Sequence, residues 1–140
     1  MAGRRRRIYK RMYKIEKSDL GFHLTFGGTV TKAELERWYD ESELALKERK
    51  SPFGVIIDMR TLTPLPVEAQ EIMVRGQAMY RAQGMQRSCV ILGDAITTIQ
   101  FMRLANRSGI RKQERYIDAS TDKEWLENAR NWVEHAAVLA

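Results

Sequence analysis

The run Phe53-Gly54-Val55-Ile56-Ile57-Asp58-Met59 carries one charged side chain and shows no alternation of polar with apolar residues. A strand of that composition has to be covered on both faces, the situation of a central strand in a parallel sheet. A second run of this kind, Ser88-Cys89-Val90-Ile91-Leu92, is closed by Gly93-Asp94. The segments around these runs follow a helical period instead. Thr31-Lys32-Ala33-Glu34 fits a capping box, in which the threonine hydroxyl and the glutamate carboxylate each satisfy an orphan backbone N–H. Leu35, Trp38, Tyr39, Ser42 and Leu46 then fall on one helical face. Lys47-Glu48-Arg49-Lys50 suits the negative end of that helix, and Pro52 prevents its continuation. Pro64 and Pro66 punctuate the next loop. Ala69, Ile72, Met73, Gly76, Met79 and Tyr80 mark the inner face of a second helix, with Gly84 as its C-terminal cap.

A third helix is expected from about Ala95 to Arg107, ending near Gly109. A short strand follows at Arg115–Asp118. Thr121-Asp122-Lys123-Glu124 offers another capping box, before a helix that buries Trp125, Leu126, Ala129, Trp132 and Val133. Ahead of all these, Tyr13–Lys17 alternates, and Phe22, Leu24 and Phe26 resume the same period of two after the turn Ser18-Asp19-Leu20-Gly21, which predicts an antiparallel hairpin. Gly27-Gly28 ends or bulges its second strand. The order β-β-α-β-α-β-α-β-α defines an α/β fold: a mostly parallel sheet with right-handed crossovers, about four helices and an N-terminal antiparallel hairpin.

The chain has 140 residues and a net charge of +6, a charge that invites a nucleic-acid reading. Seven of the 24 basic groups, Arg4, Arg5, Arg6, Arg7, Lys10, Arg11 and Lys14, lie in the first fourteen residues, which contain no acid. The remainder is nearly neutral, so nucleic-acid binding is expected only through that tail, by counterion release. Residues 1–12 are read as a flexible basic tail and 13–140 as a single domain. The N-terminus lacks a signal peptide's apolar stretch, and the one cysteine, Cys89, has no internal partner, both of which point to the cytoplasm.

The sequence carries little reactive chemistry. His23 and His135 have no metal-binding partners at zinc spacing, and Cys89 sits inside an apolar strand, where a thiol is an inert small hydrophobe. Gly93-Asp94 is a tight turn with Asp94 as helix N-cap. Neither a nucleophile–base pair nor a phosphate loop occurs, so no enzyme activity, cofactor or metal is expected. Asp58, Arg60, Thr61, Thr63, Glu68 and Asp94 should gather at the C-terminal ends of the parallel strands, where open α/β sheets bind ligands. They form either a partner or ligand crevice or a polar rim that caps helices. In the third helix Thr97, Phe101, Leu104, Ala105 and Ser108 supply the core face. Ile96, Ile99 and Met102 are left over beside Arg103 and Arg107, a combination suited to an anionic membrane surface or a partner.

Ile57-Asp58-Met59 followed by a threonine-containing loop and a helix resembles the STAS domain of bacterial anti-sigma factor antagonists. The stretches Cys89-Val90-Ile91-Leu92-Gly93-Asp94, Glu114-Arg115-Tyr116-Ile117-Asp118-Ala119, Glu124-Trp125-Leu126 and Ala129-Arg130-Asn131-Trp132-Val133 are closer to its SpoIIAA-like (STAS/SEC14) branch. The resemblance implies a non-enzymatic regulatory module that binds a protein partner through the loop after the third strand and the start of the second helix. In those antagonists that helix begins Asp-Ser-Ser-Gly, and its second serine is phosphorylated. Here Pro66-Val67-Glu68-Ala69 stands in its place, so Val67 and Glu68 occupy the phosphoacceptor positions without a hydroxyl. The SEC14 likeness implies an alternative: a carrier of lipid or another apolar small molecule, associating transiently with membranes. A homodimer is compatible with either reading.

Overall fold

The computed structural model describes residues 12–50 and 52–135. The expected basic tail lies almost wholly outside them. Among the described residues five strands and four helices follow one another: β1 (Tyr13–Lys17), β2 (Gly21–Gly28), α1 (Lys32–Lys47), β3 (Phe53–Leu62), α2 (Val67–Ala82), β4 (Met85–Leu92), α3 (Ala95–Ser108), β5 (Glu114–Asp118) and α4 (Trp125–His135). The strands lie side by side in chain order. β1 is antiparallel to β2, and every later pair is parallel.

That order fixes the layers. When each parallel strand is laid beside the one before it, crossovers of one hand carry every connecting helix to the same face. The helices α1, α2 and α3 accordingly share one core with Phe22, Leu24, Phe26, Val55, Ile57, Met59, Val90 and Leu92. Helix α4 follows the last strand and is free of that rule. It packs Ala129, Trp132 and Val133 on the opposite face, against Ile56, Cys89, Ile91 and Ile117. The unbroken apolar runs of β3 and β4 are thereby explained, since alternate residues enter alternate cores.

Local signals set most boundaries. The Thr31 hydroxyl accepts the Glu34 N–H at 3.2 Å and the Glu34 carboxylate accepts the Thr31 N–H at 3.4 Å, completing the expected box. Gly109 ends α3 in the left-handed region at φ 89°. β3 runs on to Leu62 because β2, after an irregularity between Thr25 and Gly27, still pairs Gly27 with Thr61 and Gly28 with Leu62. β4 starts at Met85 rather than Ser88, since Met85 and Arg87 already pair with Phe53 and Gly54.

The last helix departs from expectation. The Thr121 hydroxyl donates to the Asp118 carbonyl at 3.3 Å, while Asp122 accepts the Glu124 N–H at 2.9 Å and the Asn128 amide at 2.8 Å. The second capping box therefore does not form, and Asp122 organises the start of α4. Leu126 is 43% exposed rather than buried.

The larger core is organised around Trp38. Its ring stacks on Tyr80 at 5.8 Å and 7° and meets Phe26 edge-on at 5.4 Å. The Tyr80 hydroxyl shares a 2.7 Å hydrogen bond with Ser42, joining α1 to α2. The indole lies directly over Gly76, where a β-carbon would collide with the Trp38 ring. In an exposed helix interior, alanine in place of glycine gains about 1 kcal/mol. Here overpacking costs about 1–3 kcal/mol and wins. Gly76→Ala is expected to lower the urea midpoint with an unchanged m-value, against the direction of helix propensity.

Candidate functional site

The carboxyl ends of β3 and β4 hold the residues singled out from the sequence, and the structure divides them by role. Lys14 stands across from Thr25, Thr25 from Asp58, and Asp58 from Ile91, which belongs to the α4-side core. Asp58 thus lies on the α4 face of the sheet. Arg60, two residues on, folds back over it: Arg60 Nε and Nη2 donate to the two Asp58 oxygens at 3.0 and 2.9 Å, and the Arg60 backbone N–H adds a third bond at 3.0 Å. The guanidinium also sits 4.1 Å above the ring centre of Trp125. Burial opposes the charge on Asp58, but the Arg60 bonds outweigh it and hold this carboxyl below its usual range. The same bonds raise the pKa of Arg60. An aspartate so fully engaged is a poor general base, and the pair works as a clasp between β3 and the entry of α4.

Asp94 is equally committed. It accepts the Thr97 N–H at 2.7 Å and the Thr97 hydroxyl at 3.0 Å, capping α3. Gly93 beside it has no room for a side chain, because a β-carbon would strike the Arg60 carbonyl. Thr63 donates to the Gly28 carbonyl at 3.0 Å and lies 3.3 Å from the Thr29 hydroxyl, tying the loop to the end of β2. Thr61 is exposed above Gly27. Glu68 is exposed in the first turn of α2, whose N-cap, Pro66, makes no side-chain cap bond.

On the helical side a different feature emerges. The Gln100 side chain accepts the Leu65 N–H at 2.7 Å and donates to the Leu65 carbonyl at 3.1 Å, a bond that Gln70 duplicates at 3.1 Å. This amide replaces a missing backbone partner and draws the start of α2 toward the first turns of α3. Val67, the first residue of α2, and Ile96 and Ile99, in the first turns of α3, have 77%, 72% and 52% of their surface exposed. Met102 is half-buried and Arg103 exposed, whereas Arg107 is held by Glu71 at 2.7 Å. The residues read as one crevice are therefore divided: Asp58 and Arg60 form a clasped pair toward α4 and Asp94 caps α3, while the separately expected apolar face keeps Ile96 and Ile99 exposed on α3.

One group escaped the sequence reading. Glu114, the first residue of β5, is fully buried beneath α2 and α3. Ser88 Oγ donates to its Oε2 at 2.9 Å and Tyr116 Oη to its Oε1 at 2.7 Å. Burial pushes its pKa up to about 7, against the two hydrogen bonds and the Arg111 charge. Period alone could not place it. Glu114 and Tyr116 share one face of β5, Arg115 and Ile117 the other, and each face reads as one polar and one less polar residue. On the opposite face, Arg115 lies 4.0 Å over the Trp132 ring, and burial lifts the Cys89 thiol to about 12.

Five strands in chain order, an antiparallel opening hairpin, three helices on one face and one on the other constitute a SpoIIAA-like fold, the STAS architecture. A solved structure from Shewanella loihica, an uncharacterised DUF3478-family protein with a SpoIIAA-like fold, superposes with a TM-score of 0.60 at 22% identity, covering 86% of this chain and 91% of that one. No protein-family model and no curated protein matches the sequence.

Glu114 has a consequence for stability. Its pKa rises from 4.5 to about 7 on folding, so the folded state binds the proton more tightly. Its contribution is complete below pH 4.5, declines as the pH rises and is lost above about 7. At about 1.4 kcal/mol per unit the total is about 3 kcal/mol. Urea unfolding between these limits should show wild type weakening relative to Glu114→Gln, whose neutral amide has no proton to lose.

Proposed function

We propose that the protein is a non-enzymatic regulatory module of the STAS type, which docks a protein partner through the ends of α2 and α3. The observation that carries this reading is the exposure of Val67, Ile96 and Ile99 on helix ends that the Gln100–Leu65 hydrogen bonds draw together. Large apolar side chains left this exposed at one end of a helical layer mark a contact surface. The site chemistry supports a binding role over a catalytic one. Asp58 is neutralised by Arg60, Asp94 is used as a cap and Cys89 is buried with a thiol that stays protonated. Val67 and Glu68 stand where anti-sigma factor antagonists carry serines. Any switching of this module is therefore by a route other than phosphorylation at those positions.

A membrane or lipid surface is the competing occupant of the same patch. Among the described residues no helix is long and apolar enough to cross a bilayer, so such an association would be peripheral. Peripheral binding draws on cations next to the apolar residues. Of the two arginines beside the apolar residues of α3, Arg107 is paired with Glu71, which weakens that attraction and favours a protein partner.

Ile96→Asp and Val67→Arg are exposed changes and should leave stability within about 0.5 kcal/mol of wild type. Both should abolish capture of the partner that wild type retains in a pull-down from the host. Retention of the same partners by both variants would exclude this surface, and sedimentation of wild type with anionic vesicles, lost in Ile96→Asp, would assign it to a membrane.

A further inference from the structure

We propose that Glu114, Tyr116 and the backbone carbonyl of Phe101 form a proton-operated latch between the sheet and α3. The Tyr116 hydroxyl has one proton and two acceptors in reach, Glu114 Oε1 at 2.7 Å and the Phe101 carbonyl at 3.4 Å. Ionised Glu114 has no proton to give and takes the one from Tyr116, which leaves the Phe101 carbonyl without that donor. When Glu114 binds a proton from solvent at Oε1, the direction of the chain reverses. Glu114 then donates to Tyr116 Oη, the Tyr116 proton turns to Phe101, and Ser88 donates to Oε2 as before. One proton is gained, no other group changes charge, and α3 acquires a continuous hydrogen-bonded connection through β5 to β4.

The surroundings make Glu114 the group that titrates. It lines a cavity of about 30 Å³ with Trp38, Met59, Met73, Gln77 and Phe101. That space admits one or two waters, too few to solvate a carboxylate. The other groups facing it carry no charge: Ser88 from β4, Gln77 and Tyr80 from α2, Trp38 from α1, Phe101 from α3 and Ile110 from the loop that follows. Among the described residues the cation acting on it is Arg111, 5.2 Å from the centre of the Tyr116 ring on the loop before β5. Arg87 is bonded to the Val133 carbonyl and Arg115 covers Trp132, both on the α4 face. Cys89 lies on that face as well and stays protonated. Burial places the Glu114 titration near neutral pH, where the latch would open and close.

The latch concerns the seat of α3 and stands whether or not Ile96 and Ile99 dock a partner. It is tested by following the ¹³C shifts of the Glu114 carboxyl and the Phe101 carbonyl in the full chain through the neutral range. In wild type both should move with one midpoint near 7. In Tyr116→Phe the Glu114 carboxyl should still titrate while Phe101 stops following it. In Glu114→Gln, where the amide donates to Tyr116 as the acid does, Phe101 should remain at its low-pH value. A Glu114 carboxyl ionised throughout, or a Phe101 carbonyl that stays flat while Glu114 titrates in wild type, would overturn the proposal. The same holds if Phe101 follows the titration unchanged in Tyr116→Phe. Wild type and Tyr116→Phe decide the matter even if Glu114→Gln does not fold.

Discussion

Strand β3 hydrogen-bonds to a parallel neighbour on each side, and its side chains enter two separate cores. Val55, Ile57 and Met59 pack under α1, α2 and α3, while Ile56 packs under α4. Every other element takes its place from this strand. Its backbone groups are satisfied only within the sheet, and its side chains are removed from water only if both layers of helices are present. The hairpin β1–β2 extends the sheet on one side, β4 and β5 on the other.

The same strand explains why the polar residues at its end do structural work. Asp58 leaves the apolar row at the rim of the α4 layer, half-buried, where an uncompensated carboxylate would be costly. Arg60 compensates it and, by lying on Trp125, fastens the incoming α4. Asp94 similarly supplies the start of α3 with an acceptor for its unsatisfied N–H groups. Polar groups at strand ends thus close the layers, and the exposed apolar residues at the helix ends are the surface proposed for docking.

Among the described residues Glu114 is the one buried carboxyl, the other buried polar side chains being the neutral Ser42, Gln77, Ser88 and Thr97, and its two hydrogen bonds make burial tolerable without making it neutral in cost. Leucine there would pack more simply. An acid retained among Trp38, Met73 and Phe101 gives the domain a proton-dependent contact between β5 and α3. It acts through the element that also carries Ile96 and Ile99.

Much of this architecture was legible in the sequence. The unbroken runs around Ile56 and Val90 required two covering layers, the period-of-two pattern gave the hairpin, and Thr31 with Glu34 located α1 within a residue. These are local properties, set by hydrogen-bond and burial demands within a few residues. Tertiary structure decided what depends on distant partners. β4 lengthened because β3 was there to pair with Met85 and Arg87, whereas the loss of the Thr121 cap was local: its hydroxyl donates to the Asp118 carbonyl and Asp122 accepts the Glu124 N–H. The polar crevice divided because Asp58 is clasped by Arg60 toward α4 while Asp94 is committed to the start of α3. The burial of Glu114 was invisible for the same reason. A short strand with two mixed faces does not declare which one meets the core, and only α2 and α3 packing over β5 settled it.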